Sequence, residues 1–429
     1  MRAHRDLRLS RRETLLLLAA ILGVSLHVPL LSTAVATVVV ALLAAASATG
    51  RAPASRAFRA RLTVLSAFLV AFYGASVAYE YIGPLDGAKA AVYAVAFYWA
   101  GYVLTKKYRA ADAPPSAVVV LSLPAIGVGA FAAVTTAGAA WTAGSLEVAS
   151  RLAQNLWASG ETVNAPGLGA MASLGMCLLP TVLLAKPLRG RGVAGRWWPA
   201  VLILGAAACA GVLVNISLQN RSPFVALAAA AFVTASIVIR TARTHGAKFV
   251  QIGGALVAAS AVVWWAQSSS IASEAGIYQR FAQERLETER YDAWITVVSH
   301  AWELAAGGRV VPIGLRYAHN LWLDVLWDAG LLPLALLVIF QSLHVRQIRF
   351  LFCKGTPLQT SVLFGLLSAI GVTFLVEPAL AISPIYFGAT LYVLGSVLAL
   401  SEGAAARTNG DDVSPGKVPG AFSNGQRVV

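Results

Sequence analysis

The sequence predicts an all-α, polytopic integral membrane protein of about twelve transmembrane helices, with one large loop carrying an amphipathic helix. Three observations predict it. Of 429 residues, 58% are hydrophobic and only 12% charged, and the mean hydropathy is +0.70, a balance that places the chain outside soluble domains. Apolar runs of roughly 20 residues, the length that crosses a bilayer about 30 Å thick, recur along it. Lys and Arg gather in alternate connections, as they do on the cytoplasmic face of membrane proteins.

The apolar runs cover residues 14–27, 30–49, 62–79, 88–105, 116–136, 168–185, 198–214, 223–239, 249–267, 321–340, 359–376 and 385–400. His27-Val28-Pro29 separates the first two, because proline cannot continue an intrahelical hydrogen-bond ladder, and the pair reads as a hairpin of short helices. Arg11-Arg12 ahead of an apolar run resembles a secretion signal, but membrane spans rather than a soluble domain follow, which favours an uncleaved first span.

With the N-terminus inside, the cytoplasmic connections hold Arg2 to Arg12, Arg51 to Arg61, Lys106 to Arg109, Lys186 to Arg196, Arg240 to Lys248, Arg346 to Lys354, and the basic residues of the C-terminal tail. That leaves few of the 33 Lys and Arg residues outside, so the net charge of +14 reads as topology. Basic residues dispersed over separate loops, without a patch or motif, exclude a nucleic-acid partner. By the same parity Trp141 to Gly167, Asn215 to Ser222 and the loop of residues 268–320 lie outside, and both termini inside. Membrane lipid is the one partner that composition itself implies.

Residues 1–400 therefore form one transmembrane domain. Residues 401–429, almost without large apolar side chains, read as a disordered cytoplasmic tail. Cys177, Cys209 and Cys353 have no disulfide or metal-ligand spacing. No fixed-period repeat of the kind many transporters carry is visible.

The 268–320 loop is the one long connection dense in charge. From Tyr278 to Ala306 it has helical spacing, with Tyr291, Trp294, Val298, Ala301 or Trp302, and Ala305 on the apolar face, and Gly307-Gly308 as a stop. Such a helix lies over the membrane surface with its charged side toward water. Arg280 and Arg285 have Glu284 and Glu289 four residues on, a charge-laced face. Arg290 has only Glu287 as a helical ion-pair candidate, so it is either paired there or the loop cation best placed for a ligand.

Arg221 precedes Ser222 and Pro223, a cap and first residue of a helix, where backbone N–H groups, dipole and guanidinium together make an anion site. Snorkelling at the interface explains the same arginine equally well. His319 and Asn320 open the tenth run, Asn320 as its cap, and a neutral histidine there accepts a proton near pH 7. Asp324 and Asp328 are the ionisable exceptions within the spans, four apart on one face; each is either functional or paired with a loop arginine.

In order, Arg221 before a helix, Arg290 with Trp294, Pro312-x-Gly314, His319-Asn320-Leu321-Trp322-Leu323, and Gly330-Leu331 opening a span resemble the O-antigen ligase and O-antigen polymerase family. The resemblance covers roughly Asn215 to Phe340. Where family members often have a second glycine after Pro-x-Gly, this chain has Leu315-Arg316.

The resemblance implies transfer of an undecaprenyl-diphosphate-linked glycan onto a sugar hydroxyl at the periplasmic face of a bacterial inner membrane. The acceptor is lipid A-core for a ligase or a lipid-linked repeat for a polymerase. His319 would be the catalytic base, Arg221 and Arg290 would bind the diphosphate, and Trp294, Asn320 and Asp324 would support them. No acidic cluster that holds magnesium stands in the outside loops, so no metal or other cofactor is expected. A multi-pass transporter or flippase, or an inactive partner in a polysaccharide assembly complex, are the readings from other classes.

Overall fold

The structure is a computed structural model that describes residues 11–27, 55–109, 114–143, 152–155, 162–184, 197–241, 288–378, 380 and 383–411. The runs at 30–49 and 249–267, and Arg280, Arg285 and Glu287, lie outside the described residues.

The chain is all-α apart from one small hairpin. In order the helices are α1 (Arg11–Ser25), α2 (Arg56–Ala78), α3 (Pro84–Arg109), α4 (Pro114–Ala143), α5 (Ala165–Met176), α6 (Leu179–Leu183), α7 (Trp198–Ser217), α8 (Ser222–Thr241), α9 (Thr288–Ser299), α10 (Leu321–Ala329), α11 (Leu331–Lys354), α12 (Pro357–Val376) and α13 (Pro384–Asp411). Among the described residues eight helices are long and apolar enough to cross a membrane. They answer to eight of the twelve expected runs. α1 is too short, and Tyr93, Tyr98, Trp99 and Tyr102, all buried, lower the hydropathy of α3.

Side chains at the helix starts explain where several begin. Ser55 Oγ accepts the Phe58 N–H at 3.0 Å, Asn164 Oδ1 accepts the Gly167 N–H at 2.9 Å, and Ser383 Oγ accepts from Ile385 at 3.1 Å. Each satisfies a donor that the first helical turn leaves open.

The centre is the pair α3 and α13, which lie in backbone contact. A Cβ on Gly101 would stand 2.1 Å from the Tyr392 carbonyl oxygen, and one on Gly395 would stand 2.1 Å from that of Tyr98. Small residues at such crossings let helices approach where no hydrophobic drive joins them in lipid. Tyr392 then donates to the Val120 carbonyl of α4 at 2.7 Å, and Thr105 to Ser396 at 2.9 Å.

Three expectations change, and one connection gains structure. The tenth span begins at Leu331, not at residue 321, because the chain breaks at Gly330 (φ +93), where a Cβ would meet the Ala305 carbonyl oxygen at 2.3 Å. The 401–429 tail starts as helix, since α13 continues to Asp411; residues 412–429 lie outside the described residues. The Trp141 to Gly167 connection holds an antiparallel hairpin of β1 (Leu152–Gln154) and β2 (Thr162–Asn164), with Ala153 opposite Val163. Ionisable groups are also more frequent inside the bundle than the apolar runs suggested. Helices extend past those runs and enclose Arg61, His344 and Glu402, bonded respectively to the Leu343 carbonyl at 2.5 Å, to Tyr98 at 3.1 Å and to Tyr102 at 2.9 Å.

The close seam gives a test of this packing. Gly101→Ala is expected to lower the thermal midpoint of the protein in detergent by several degrees, since backbone must move to admit the methyl group. Gly129→Ala, at a helical glycine with nothing within 4 Å of the added carbon, should leave it unchanged or raise it. Equal midpoints for the two variants would contradict the packing.

Candidate functional site

The loop after α9 is pinned to the end of α10 by backbone bonds. Gly308 and Arg309 donate to the Asp328 and Trp327 carbonyls at 3.0 Å each, and Leu331 donates to the Ala305 carbonyl at 3.0 Å. Gly307 and Gly308 both have positive φ, the conformation glycine adopts without steric cost. The helix ahead of this loop ends at Ser299; its buried face is Ala293 and Val297, and Leu304 in the turn that follows is buried as well. The expected apolar face is therefore corrected: Tyr291, Val298 and Trp302 are exposed, and only Trp294 and Ala301 of that set pack inward.

From this base the chain turns back at residues 318–320, and one carboxylate holds the turn. Asp324 accepts the backbone N–H groups of Ala318 at 2.7 Å and Asn320 at 3.2 Å. His319 between them adopts φ +55. Asn320 caps α10 by accepting from Trp322 at 3.2 Å and Leu323 at 3.3 Å. Trp294 Nε1 fastens the turn from the other side, donating to the Ala318 carbonyl at 2.6 Å.

The turn rests on the end of α12. Asn320 Nδ2 donates to the Leu375 carbonyl at 3.3 Å, and Arg290 donates to that of Val376 at 2.8 Å. The next residue, Glu377, is buried and directs Oε2 at His319 Nδ1 across 3.7 Å. Both atoms are shut off from solvent and neither has a hydrogen-bond partner. The gap is slightly longer than a hydrogen bond, so a small shift of either side chain joins them.

Arg221 belongs to the same end of the molecule. At the opposite end of α8, Arg240 lies over the Phe352 ring at 5.0 Å, and Thr234 is 3.0 Å from Ser361, near the start of α12. The two helices therefore run antiparallel. As many residues separate Thr234 from Arg221 as separate Ser361 from Phe374, about 20 Å along either helix, which sets Arg221 at the level of the Glu377 end. Five of the six expected site residues, Arg290, Trp294, His319, Asn320 and Asp324, thus share one bonded cluster, and Arg221 stands on the neighbouring helix.

The aspartates divide. Asp328 is paired structurally, its Oδ1 accepting from Arg309 Nε at 2.7 Å, and burial raises its pKa against that bond. Asp324 faces backbone amides rather than a cation. Burial pushes its carboxyl up to about 7, with the Asp328 charge adding and the two amide bonds opposing. Both lie in α10, outside the span that begins at Leu331.

Sequence reasoning missed Glu377 and Arg309. Glu377 sits one residue past the eleventh apolar run, in Val376-Glu377-Pro378, and a carboxylate closing a span is the signal that was there to read. Among the described residues no three His, Cys, Asp or Glu side chains converge as a metal site. No protein-family model matches the chain, and no curated protein matches it.

The raised Asp324 pKa makes a prediction with a definite sign. A carboxyl that binds its proton more tightly folded than unfolded contributes stability that is fully present below the unfolded value of 3.8 and is lost as pH rises through about 7. The thermal midpoint in detergent should therefore fall from pH 5 to pH 8, and Asp324→Asn, which keeps an oxygen for one of the two amides and cannot ionise, should flatten that slope. An unchanged slope in the variant would show that Asp324 is not the group responsible.

Proposed function

We propose that the chain is a membrane glycosyltransferase of the O-antigen ligase or polymerase type. It would sit in a bacterial inner membrane with both termini cytoplasmic and the 268–320 loop periplasmic. The observation that carries this reading is the histidine turned toward a buried glutamate at the helix end where Arg290 is bonded and Arg221 stands level.

The donor in this reading is an undecaprenyl-diphosphate-linked glycan, already activated by its leaving group. Reaction needs two things from the protein: a base for the acceptor hydroxyl and positive charge for the departing diphosphate. Neutral His319 takes the hydroxyl proton as the acceptor oxygen bonds to the anomeric carbon. The bond from that carbon to the diphosphate oxygen breaks, and its electron pair leaves with the diphosphate. Arg221 and Arg290 offer forked donors that suit phosphate oxygens. Glu377 orients the imidazole and stabilises it once protonated, as carboxylates beside catalytic histidines do. Direct displacement inverts the anomeric configuration. The acceptor is lipid A-core or another lipid-linked repeat.

A transporter or flippase would draw on Arg61, His344 and Glu402. These groups are bonded to neighbouring carbonyls and hydroxyls beside a seam with helix backbones in contact, which is poorly suited to a polar path. Movement of lipid-linked glycan across vesicles without covalent change would favour that reading.

Substitution of the arginines tests the assignment of charge. Arg221→Gln and Arg290→Gln are each expected to lower transfer by about 100-fold or more, and Arg280→Gln and Arg285→Gln by only a few-fold, measured with purified protein and a lipid-linked donor. Equal losses at all four would point to the general field of the loop instead. Glu377→Gln should lower kcat more than it changes KM; a rate equal to wild type would remove Glu377 from the mechanism.

A further inference from the structure

Outside the reacting groups, a chain of rings leads away from His319. The Tyr317 ring meets the imidazole edge-on at 6.5 Å. The Arg309 guanidinium lies 5.6 Å from the Tyr317 ring and 4.3 Å from that of Tyr81. Tyr81 in turn neighbours Tyr79, with centroids 5.8 Å apart and planes inclined by 31°. The strip is longer than one sugar ring and begins at the proposed base.

It is also built rather than incidental. Tyr79 is fixed by donating its hydroxyl to the Ala306 carbonyl at 3.0 Å. Its ring lies where a Cβ on Gly308 would come within 3.0 Å, so glycine makes the room. Glu80 and Arg309 hold left-handed conformations, φ +59 and +51, at the two bends that bring the rings together. Strain of this kind persists where surrounding contacts enforce it, and it collects at ligand sites. Although so placed, Tyr79 and Tyr81 remain 39% and 37% exposed.

The electrostatics select the ligand. Arg309 is already paired with Asp328 at 2.7 Å, and the further cation, Arg316, borders only the Tyr317 ring at 5.4 Å, so the Tyr79 and Tyr81 end gives a phosphate little to bind. What the strip offers is aromatic faces with hydroxyl groups at their rims. The face of an aromatic ring is electron-rich, and the C–H bonds on one side of a sugar ring are weakly positive, so sugars stack there while phenol groups exchange hydrogen bonds with sugar hydroxyls.

We propose that Tyr79, Tyr81 and Tyr317 form a carbohydrate-binding strip that holds the sugar residues next to the one reacting at His319. The proposal rests on reading the site as a glycosyl-transfer site, and it adds the ligand class: a stretch of at least two linked sugars. Long glycans would be gripped by the strip, and a donor with a single sugar would not reach it.

Binding is measurable without transfer. The probe is the pool of oligosaccharides released by mild acid from the lipid-linked glycans of the cells that make this protein. Saturation-transfer NMR on the full chain in detergent should show sugar signals that weaken in Tyr81→Ala, with affinity about threefold to tenfold lower, and persist in Tyr81→Trp. Tyr317→Leu provides a second test should Tyr81→Ala not fold, with the same loss expected. Trp302→Ala, at an exposed tryptophan outside the chain of rings, should bind like wild type. Equal affinity in wild type, Tyr81→Ala and Tyr317→Leu, no sugar signal in wild type, or an equal loss in Trp302→Ala as for an interfacial anchor, would each overturn the strip. Failure of the transfer reading is separate: sugar bound through Tyr81 with no glycosyl product would leave the strip standing and remove the reaction.

Discussion

Asp324 accepts two backbone N–H groups from either side of His319, and the geometry of the site hangs on that pair of bonds. A non-glycine residue held at positive φ costs about 1–2 kcal/mol, and His319 is held at +55. Hydrogen bonds to a carboxylate are worth about 1.5–3 kcal/mol each when it is ionised. Two of them exceed the strain, so the turn stays formed and His319 faces Glu377. The α10 helix exists largely to deliver this carboxylate: it is nine residues long, and its first turn points Asp324 back at the loop that precedes it.

The other half of the site is supplied by the end of α12. Leu375 and Val376 present carbonyls to Asn320 and Arg290, and Glu377 faces the imidazole. That helix end is fixed in turn by small and polar contacts along the bundle. A Cβ on Gly365 would meet the Cys177 carbonyl oxygen at 2.5 Å, and Ser361 joins Thr181 at 2.7 Å and Thr234 at 3.0 Å. Packing of α12 and the position of His319 are thus one problem, and a change deep in the bundle acts on His319 through Glu377.

Much of this was legible in the sequence. Apolar runs and basic loops gave the fold class, because span length and charge asymmetry are local properties. Asn320 as a cap follows from residue type and spacing alone, and pairing with a loop arginine is one of the two readings these leave open for Asp328. Gly307-Gly308 is not the helix stop, since the helix ends at Ser299. The break at Gly330 was legible only in the resemblance, as Gly330-Leu331 opening a span; hydropathy missed it, since an apolar run continues through it and the reason lies in the approach of Ala305. The inward face of α9 was not legible, since Tyr291, Ile295 and Val298 offer an apolar stripe as persuasive as the one that is buried. Glu377 stands 58 positions from its histidine, and no periodicity connects them. Sequence patterning reports on neighbours within an element; contacts between elements need the fold.

The arrangement of a base, a buried carboxylate and arginines at one end of a polytopic bundle has its most direct test in a single assay. Purified protein in detergent is given a lipid-diphosphate-linked glycan, with lipid A-core and lipid-linked repeat offered as acceptors, and wild type is compared with His319→Ala. We expect product with one acceptor from wild type and a loss of about 100-fold to 10,000-fold in the variant. Product formed equally by a folded His319→Ala protein, or none from wild type with either acceptor, would contradict the account.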